Sequence, residues 1–453
     1  MTVTDAQRRA GHAGLRLLAP GDPGWDAARA TFNLLDDPRP DLIAVPETVD
    51  EVAAAVAVAR REGLRVTAQG TGHGAASHHP LAGALLVDTS RMTDVAIDGG
   101  ARRVRVGAGA RWGHVAPQLS ALGLAGRHGS SPGVGIAGYS LGGGVGWLTR
   151  RHGLQCNAVR AIELVTAGGE RLRADAENHP DLFWALRGGG GNFGVVTALE
   201  FDVVAVPELA SGAYFFPVER TAEVLRTWTA LLPSLPDELT TWVTVMHFPP
   251  FDELPPEVRG RSFTILMAAH LGAEADARRL LRPLHELGPL RDTFGVCEPL
   301  ALGTLAMDPE APLPYRSTTA LVDALPDRTI DGLAALGEAG SALTMLQFRH
   351  LGGVLRRPPD GAGARASLPG EILVFSLAIA TDPDADVDGA LGQLDRLLAP
   401  LKVGEYPNLV EHPVDASRFF DAATWSRLRA VKAAYDPTDL VHGNHHVPSA
   451  AVA

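Results

Sequence analysis

The residues best placed to do chemistry sit in glycine-rich stretches. The first runs Arg65-Val66-Thr67-Ala68-Gln69-Gly70-Thr71-Gly72-His73-Gly74-Ala75, a short β-branched run ending in three glycines within five residues, with one histidine among them. A strand that ends this way leads into a loop whose backbone can adopt positive φ and approach a ligand closely. Its exposed N–H groups can cradle a phosphate. The stretch is neither the GxGxxG fingerprint nor a P-loop, since no Gly-Lys-Ser/Thr follows. Alone it reads first as a tight turn with a solvent-exposed histidine. Residues 129–146, GSSPGVGIAGYSLGGGVG, shift that balance, with eight glycines and no charge where an ordinary loop would be polar. Such a composition suits backbone packed against a flat or phosphate-bearing ligand.

The elements around the first loop are legible. Residues 41–45 (DLIAV) read as a strand that Pro46 stops, and Thr48 with Glu51 forms a capping box for a helix through Arg61 that ends at Gly63. The order is therefore strand, helix, strand, glycine loop. Strands follow at 84–87, 94–97 and 103–106, a helix at 112–122, and a hairpin at 159–166 and 170–173 around Gly168-Gly169. Asn178 is the expected cap of a helix holding Leu182, Phe183 and Trp184.

From about Pro207 the pattern changes. Strands at 211–216, 240–248, 262–271, 341–350 and 371–380, separated by helices near 220–232 and 274–287, indicate a second α/β unit with a mainly antiparallel sheet. On strand 341–350, Gln347 and Arg349 share one face and His350 the other. Residues 356–369 read as an exposed, mobile loop. Helical spacing returns at 425–434, before the tail HGNHHVP.

With 453 residues, 46% apolar and 20% charged, the chain has the balance of a soluble globular protein. A net charge of −12 argues against a nucleic-acid partner and for a small-molecule ligand. Residues 1–22 lack the apolar core of a signal peptide, and no run approaches the roughly 18 apolar residues of a membrane span, so the expected location is cytoplasmic. Cys156 and Cys297 lie far apart without metal-ligand spacing and are expected to be buried reduced thiols; no metal site is expected. The oligomeric expectation is a monomer or homodimer.

Four ordered stretches together resemble the berberine-bridge-enzyme-like FAD-linked oxidoreductases of the vanillyl-alcohol-oxidase (PCMH-type) superfamily: residues 39–74, SPGVGIAGYSLGGGVGWLTRRHGL, DLFWALRGGGGNFGVVTALEF and AVKAAYDPTDLVHGNHHVP. The match covers nearly the whole chain. The fold implied is α+β with two domains: a PCMH-type FAD-binding domain from residues 1–206 and a return segment, 405–453, and a substrate domain, 207–404, whose mainly antiparallel sheet is flanked by helices.

The resemblance implies that His73 bonds covalently to the flavin's 8-methyl group, the alternative being a histidine that only hydrogen-bonds the cofactor. Relatives add a second bond from a cysteine in Gly-x-Cys-Pro-x-Val-Gly; here the run is Gly129 to Gly135 and Ser131 stands at the cysteine's place. A serine hydroxyl is a far poorer nucleophile than a thiolate, so a single link is expected. Val134 stands where relatives place an oxygen gatekeeper, with Gly135 beside it, and valine there resembles the oxidases. Gln69, Gly70, Thr71, Gly72 and Gly74 are expected at the pyrophosphate, Gly138, Gly142, Gly143 and Gly144 near the ribityl chain or phosphates, Val196 near the adenine, and Asn444 at the ring's polar edge. His445 and His446 follow it, His446 carrying little weight.

Tyr406-Pro407-Asn408 matches the family's Tyr-x-Asn motif, whose tyrosine acts in some members as base; an aromatic shelf for substrate is the other reading. Arg349, with Gln347, either stabilises an anionic reduced flavin, binds an acidic substrate or pairs at a domain seam. The function expected is an FAD-dependent oxidase taking hydride from a small molecule and reducing O2 to H2O2. A flavin dehydrogenase, an oxidative cyclase and a non-catalytic flavin-binding protein are the alternatives.

Overall fold

The computed structural model describes residues 14–78 and 80–452. Most of the N-terminal stretch on which the cytoplasmic expectation rests, and His79, lie outside these. Three principal sheets build the molecule.

The first contains β1 (Arg16–Leu18), β2 (Leu42–Val45), β3 (Arg65–Gln69) and β4 (Ala84–Asp88) in the order β1-β2-β4-β3, with β2, β4 and β3 parallel. Helix α1 (Val49–Glu62) joins β2 to β3. Its capping box is present as expected, with Thr48 Oγ1 accepting from Glu51 N–H at 3.3 Å, and Gly63 closes it at φ +67°. Val52, Ala55, Val56 and Ala59 are fully buried on one face of α1, against the sheet.

The second sheet is antiparallel: β5 (Val95–Asp98), β6 (Arg103–Gly107), β7 (Val159–Val165), β8 (Arg171–Asp175) and β9 (Val195–Asp202), in the order β5-β6-β9-β7-β8. Helices α2 (Trp112–Ser120), α3 (Ile136–Gly142) and α4 (Pro180–Leu186) share its core. The cap of α4 differs from expectation: Asn178 turns back onto Asp175, and His179, at φ +54°, holds the N-cap position before Pro180. Proline's fixed φ at the first helical position sets that start.

The third sheet has nine strands, all antiparallel. Its long members are β10 (Ala210–Pro217), β11 (Leu239–His247), β12 (Ser262–His270), β13 (Tyr315–Val322), β14 (Met345–His350) and β15 (Ile372–Ile379), with β16 (Lys402–Gly404) at one edge, in the order β10-β12-β11-β14-β15-β13-β16. Alternation along the strands divides its faces. Val243, Leu346, Phe348 and Val374 pack on helices α5 (Thr221–Leu231), α6 (Asp327–Leu336) and α7 (Val387–Leu398), around Trp228, Leu333 and Leu394. Each such buried side chain contributes about 1.5–3 kcal/mol. Trp242, Met345 and Phe375 belong to the opposite face, which turns toward the glycine loops.

β13, α6 and α7 were not anticipated. The first carries four consecutive polar residues near its start, Arg316 to Thr319, which hides a buried strand, and both helices carry internal glycine (Gly332, Gly389, Gly392), which weakens their local signal. The stretch 356–369 is only half exposed: Gly363, Arg365 and Leu368 are buried, because Ala364 and Arg365 N–H groups donate to the carbonyls of Trp184 and Arg187. Cys156 is buried and free, and Cys297 is half-buried and free.

Two buried contacts are among those that fasten the third sheet to the rest. Trp147 stacks on Trp242 with ring centroids 3.7 Å apart. Arg150, 2% exposed, donates to Leu239 O at 2.9 Å and Leu235 O at 3.2 Å and meets His350 Nε2 at 2.7 Å. The chain's end returns to the first sheet: helix α8 (Ala422–Tyr435), capped by Asp421 on Thr424 N–H, leads to Val441, whose neighbour His442 donates its N–H to Val66 O at 2.8 Å. Buried Lys432 anchors it, donating to Asn192 O and Asp436 Oδ2 at 2.7 Å each.

Candidate cofactor and active site

A cavity of about 350 Å³ lies between the two glycine loops and the free face of the third sheet. It is within the range of small-molecule sites. Of the residues singled out from sequence, Gln69, Gly70, Thr71, Gly72, His73, Gly74, Ser131, Val134, Gly135, Gly138, Gly142, Val196, Arg349, Tyr406, Asn408 and Asn444 line it. Gln347, Gly143 and Gly144 stand behind that wall.

His73 lies four residues beyond the end of β3, in the glycine loop. Its ring stacks on Phe32 at 4.1 Å, and Nδ1 lies 2.9 Å from Thr71 Oγ1. Nε2 is buried and has no partner. Burial, with the positive charge of Arg111, lowers the imidazole's pKa to about 4, so the ring is neutral and keeps a free lone pair at neutral pH. Glycine is required by space at 72, where φ is +71° and a Cβ would lie 2.8 Å from Thr31 Cα; one on Gly74 would make a tight contact, 3.2 Å from Asn444 Nδ2. His78, expected at the surface, also lines the cavity.

The second loop faces the first. A Cβ on Gly138 at the start of α3 would meet nothing within 4 Å, leaving room beside the backbone. At its C-terminal end, one on Gly142 would fall 1.7 Å from Asn408 Oδ1, so glycine there is what lets Asn408 seat itself and donate to Tyr139 O at 3.0 Å. Gly144 donates its N–H to the Tyr406 hydroxyl at 2.8 Å. Tyr406 is 2% exposed, and burial raises its pKa over the opposing pull of Gly144, Arg365 and Arg349. A lowered pKa, the requirement for a tyrosine base, is therefore not found in the protein alone.

On the sheet, Arg349 Nε donates to Gln347 Oε1 at 2.5 Å, and its guanidinium lies 4.3 Å over Trp242. Gln347, fully buried, is held in turn by Thr244 Oγ1 at 3.0 Å. Gln347 thus orients Arg349 without reaching the cavity. In the tail, Asn444 lies between Gly74 and Gly190, and His445 Nε2 is 2.9 Å from Pro407 O. His446 turns away to Asp439 Oδ2 at 3.0 Å and stacks on His442.

Two parts of the site carry no sequence signature. Glu411 lines the cavity, accepts from the Tyr315 hydroxyl at 2.7 Å and from Ser317 Oγ, and burial, with nearby Asp36, raises its pKa to about 7. Asp36 is itself raised to about 6 by burial, and its Oδ2 has no partner. Arg365 is buried beside Tyr406 and His445. Glu411 stands three residues beyond Asn408, but Tyr315, Asp36 and Arg365 are distant in sequence and only the fold brings them in.

Residues 40–175 match a family described as a FAD binding domain. The chain is 27% identical to (R)-6-hydroxynicotine oxidase of Paenarthrobacter nicotinovorans over 95% of its own length and 96% of that protein's. It is 30% identical to YgaK, an uncharacterised FAD-linked oxidoreductase of Bacillus subtilis, over 60% of its own length and 59% of that relative's. Among solved structures, Physcomitrella patens BBE-like 1 shares the fold with a TM-score of 0.85 at 21% identity over 99% of both chains. Glucooligosaccharide oxidase from Acremonium strictum, whose structure is described with 6-S-cysteinyl, 8α-N1-histidyl FAD, gives 0.82 at 22% identity over 98% of this chain and 99% of that one. The chain thus contains a FAD binding domain and has, over nearly its whole length, the fold of the BBE-like enzyme and of the glucooligosaccharide oxidase.

Proposed function

We propose that the protein is an FAD-dependent oxidase, with FAD attached covalently through His73 alone, that takes hydride from a small-molecule alcohol or secondary-metabolite intermediate and reduces O2 to hydrogen peroxide. The observation that carries this reading is His73: a neutral imidazole in the cavity wall whose Nε2 is buried and unpartnered, opposite a serine where a second anchor would need a thiolate. The cavity fits FAD in other respects: Gln69 Oε1 is also buried without a partner, and Gly138 leaves backbone open to a flat ligand.

When bound, FAD supplies the hydride acceptor and passes two electrons to O2. For an alcohol, the substrate carbon loses hydride and its hydroxyl loses a proton, leaving a carbonyl; O2 gains two electrons and two protons. The glycine loop at 69–74 and the loop at 138–142 would hold the cofactor's phosphates and ribityl chain, Val196 its adenine, and Asn444 the ring's polar edge. Tyr406, fixed by Gly144, and Asn408 orient the substrate hydroxyl, and Tyr406 accepts its proton only with the help of the positive charges of Arg349 and Arg365. Val134 leaves oxygen room to reach the ring. Residues 1–206 with 405–453 form the cofactor part and 207–404 the substrate part.

The test is to precipitate the purified protein with acid and follow the yellow colour. It stays in the wild-type pellet and leaves with the supernatant in His73→Ala, while oxygen is consumed as a panel of alcohols is turned over. Colour released by both proteins removes the covalent link, and colourless protein removes the cofactor assignment.

A further inference from the structure

We propose that Arg365 is the cation that meets the negative charge gained at the N1–C2=O edge of the isoalloxazine ring when the ring takes hydride; the proposal rests on the FAD reading above. Arg365 is 5% exposed, and its Nε and Nη2 are buried with no hydrogen-bond partner. A guanidinium does not shed its proton at any ordinary pH, so it is a permanent charge away from water. Among the described residues no carboxylate pairs with it: the titratable groups facing it are the Tyr406 phenol, the Cys156 thiol and the His445 imidazole, and burial raises the first two, the thiol to about 12, and lowers the third to about 4. All three are therefore neutral, and a buried charge left this way is unfavourable unless a ligand supplies the anion.

The berth for this side chain is built. Arg365 N–H donates to Arg187 O at 3.1 Å, and its carbonyl accepts from Asn157 Nδ2 at 3.2 Å. Gly188, at φ +110°, and Gly143 make room: a Cβ on the first would fall 2.2 Å from Arg365 Cβ, and one on the second 3.0 Å from its Cδ. The guanidinium then lies 4.9 Å over the ring of Phe420. Phe420, Tyr406, His445 and Gly188 all line the cavity, so the charge is directly behind its wall.

The anion chemistry has two sources in FAD, the reduced ring and the pyrophosphate. Arg365's neighbours favour the ring. They include Tyr406 and His445 but no residue of the 69–74 loop, where the phosphates are assigned.

Sulfite tests this without a substrate. Its lone pair forms a bond to the ring at N5 and an electron pair passes to N1–C2=O, so its affinity reads how well the protein tolerates charge there. Wild-type holoprotein is expected to bleach with sulfite, Arg365→Gln to need at least tenfold more, and Arg365→Lys to stay within about threefold of wild type. The midpoint potential of the Gln protein falls by about 30 mV for each tenfold loss in stabilisation of the two-electron reduced form. Arg365→Met, of similar stem length, takes its place if the Gln protein does not fold. Wild-type sulfite affinity and potential in the uncharged variant overturn the proposal, and would assign the guanidinium to the phosphates; a flavin-loaded wild type that takes up no sulfite overturns it as well. Wild-type protein without flavin absorbance overturns instead the cofactor reading on which it stands.

Discussion

Ser131 and His73 approach the same point from two loops: a β-carbon on Gly133 would lie 3.7 Å from Ser131 Oγ and 3.9 Å from His73 Cε1. A thiol at position 131 would therefore share the region in which the histidine would meet the cofactor.

Ser131→Cys is accordingly expected to form a second covalent link. The double variant Ser131→Cys/His73→Ala should retain flavin through acid denaturation where His73→Ala alone releases it. Release by both would show that residue 131 does not reach the ring, and with it the single-tether explanation would lose its structural basis.

Val134 lies between Ser131 and α3 and lines the cavity with its side chain half-buried. Val134→Leu adds a methylene to that wall. Stopped-flow oxidation of the dithionite-reduced protein by O2 is expected to slow at least tenfold, while anaerobic reduction by substrate changes little. Equal oxidation rates in the two proteins would leave Val134 as a packing residue.

The parts of this architecture that were legible in the sequence are those whose signals are local. The capping box of α1, the β3 to glycine-loop transition and the Tyr406-Pro407-Asn408 motif each announce themselves within a few residues, because caps, positive φ and proline act on neighbouring backbone. The glycine stretch at 142–144 was legible as a site, but its detail was not: Gly142 is glycine to admit Asn408, from 266 residues away, and Gly144 serves Tyr406 rather than the cavity. The burial of Arg365 was invisible for the same reason. Its segment is proline- and glycine-rich, the composition of an exposed loop, and only backbone pairing with Trp184 and Arg187 folds it inward. Glu411 reads in sequence as one more surface acid, and its setting depends on hydroxyls presented by β13, a strand that the sequence pattern did not reveal.

Tyr406 has its oxygen committed to the Gly144 N–H and its pKa raised by burial. In the proposed reaction, Tyr406→Phe removes both the hydroxyl's contact with substrate and its help in proton transfer. General acid–base groups contribute about 10²–10⁴-fold, so a loss of at least about 100-fold in kcat/KM is expected, with FAD still bound. The loss of its hydrogen bond to Gly144 should cost stability about 1 kcal/mol. Turnover equal to wild type would exclude Tyr406 as a proton acceptor and leave it as an aromatic wall.

Glu411 gives the protein a pH dependence of defined sign. Its folded pKa is raised from 4.5 to about 7 by burial, so the folded state binds the proton more tightly than the unfolded chain. The stability tied to that proton is fully present below pH 4.5 and is lost as pH rises through about 7. Glu411→Gln keeps an acceptor for the Tyr315 hydroxyl and abolishes the titration. The variant should match wild type near pH 4 and exceed it at pH 8 by about 1–3 kcal/mol, a range set below the full shift at about 1.4 kcal/mol per pKa unit to allow for solvent in the cavity. Asp36, raised to about 6, adds a slope of the same sign that persists in the variant. Chemical unfolding at the two pH values measures the difference. Parallel stability curves for the two proteins would mean that Glu411 is ionised in the fold at neutral pH, and that a group not yet named neutralises it.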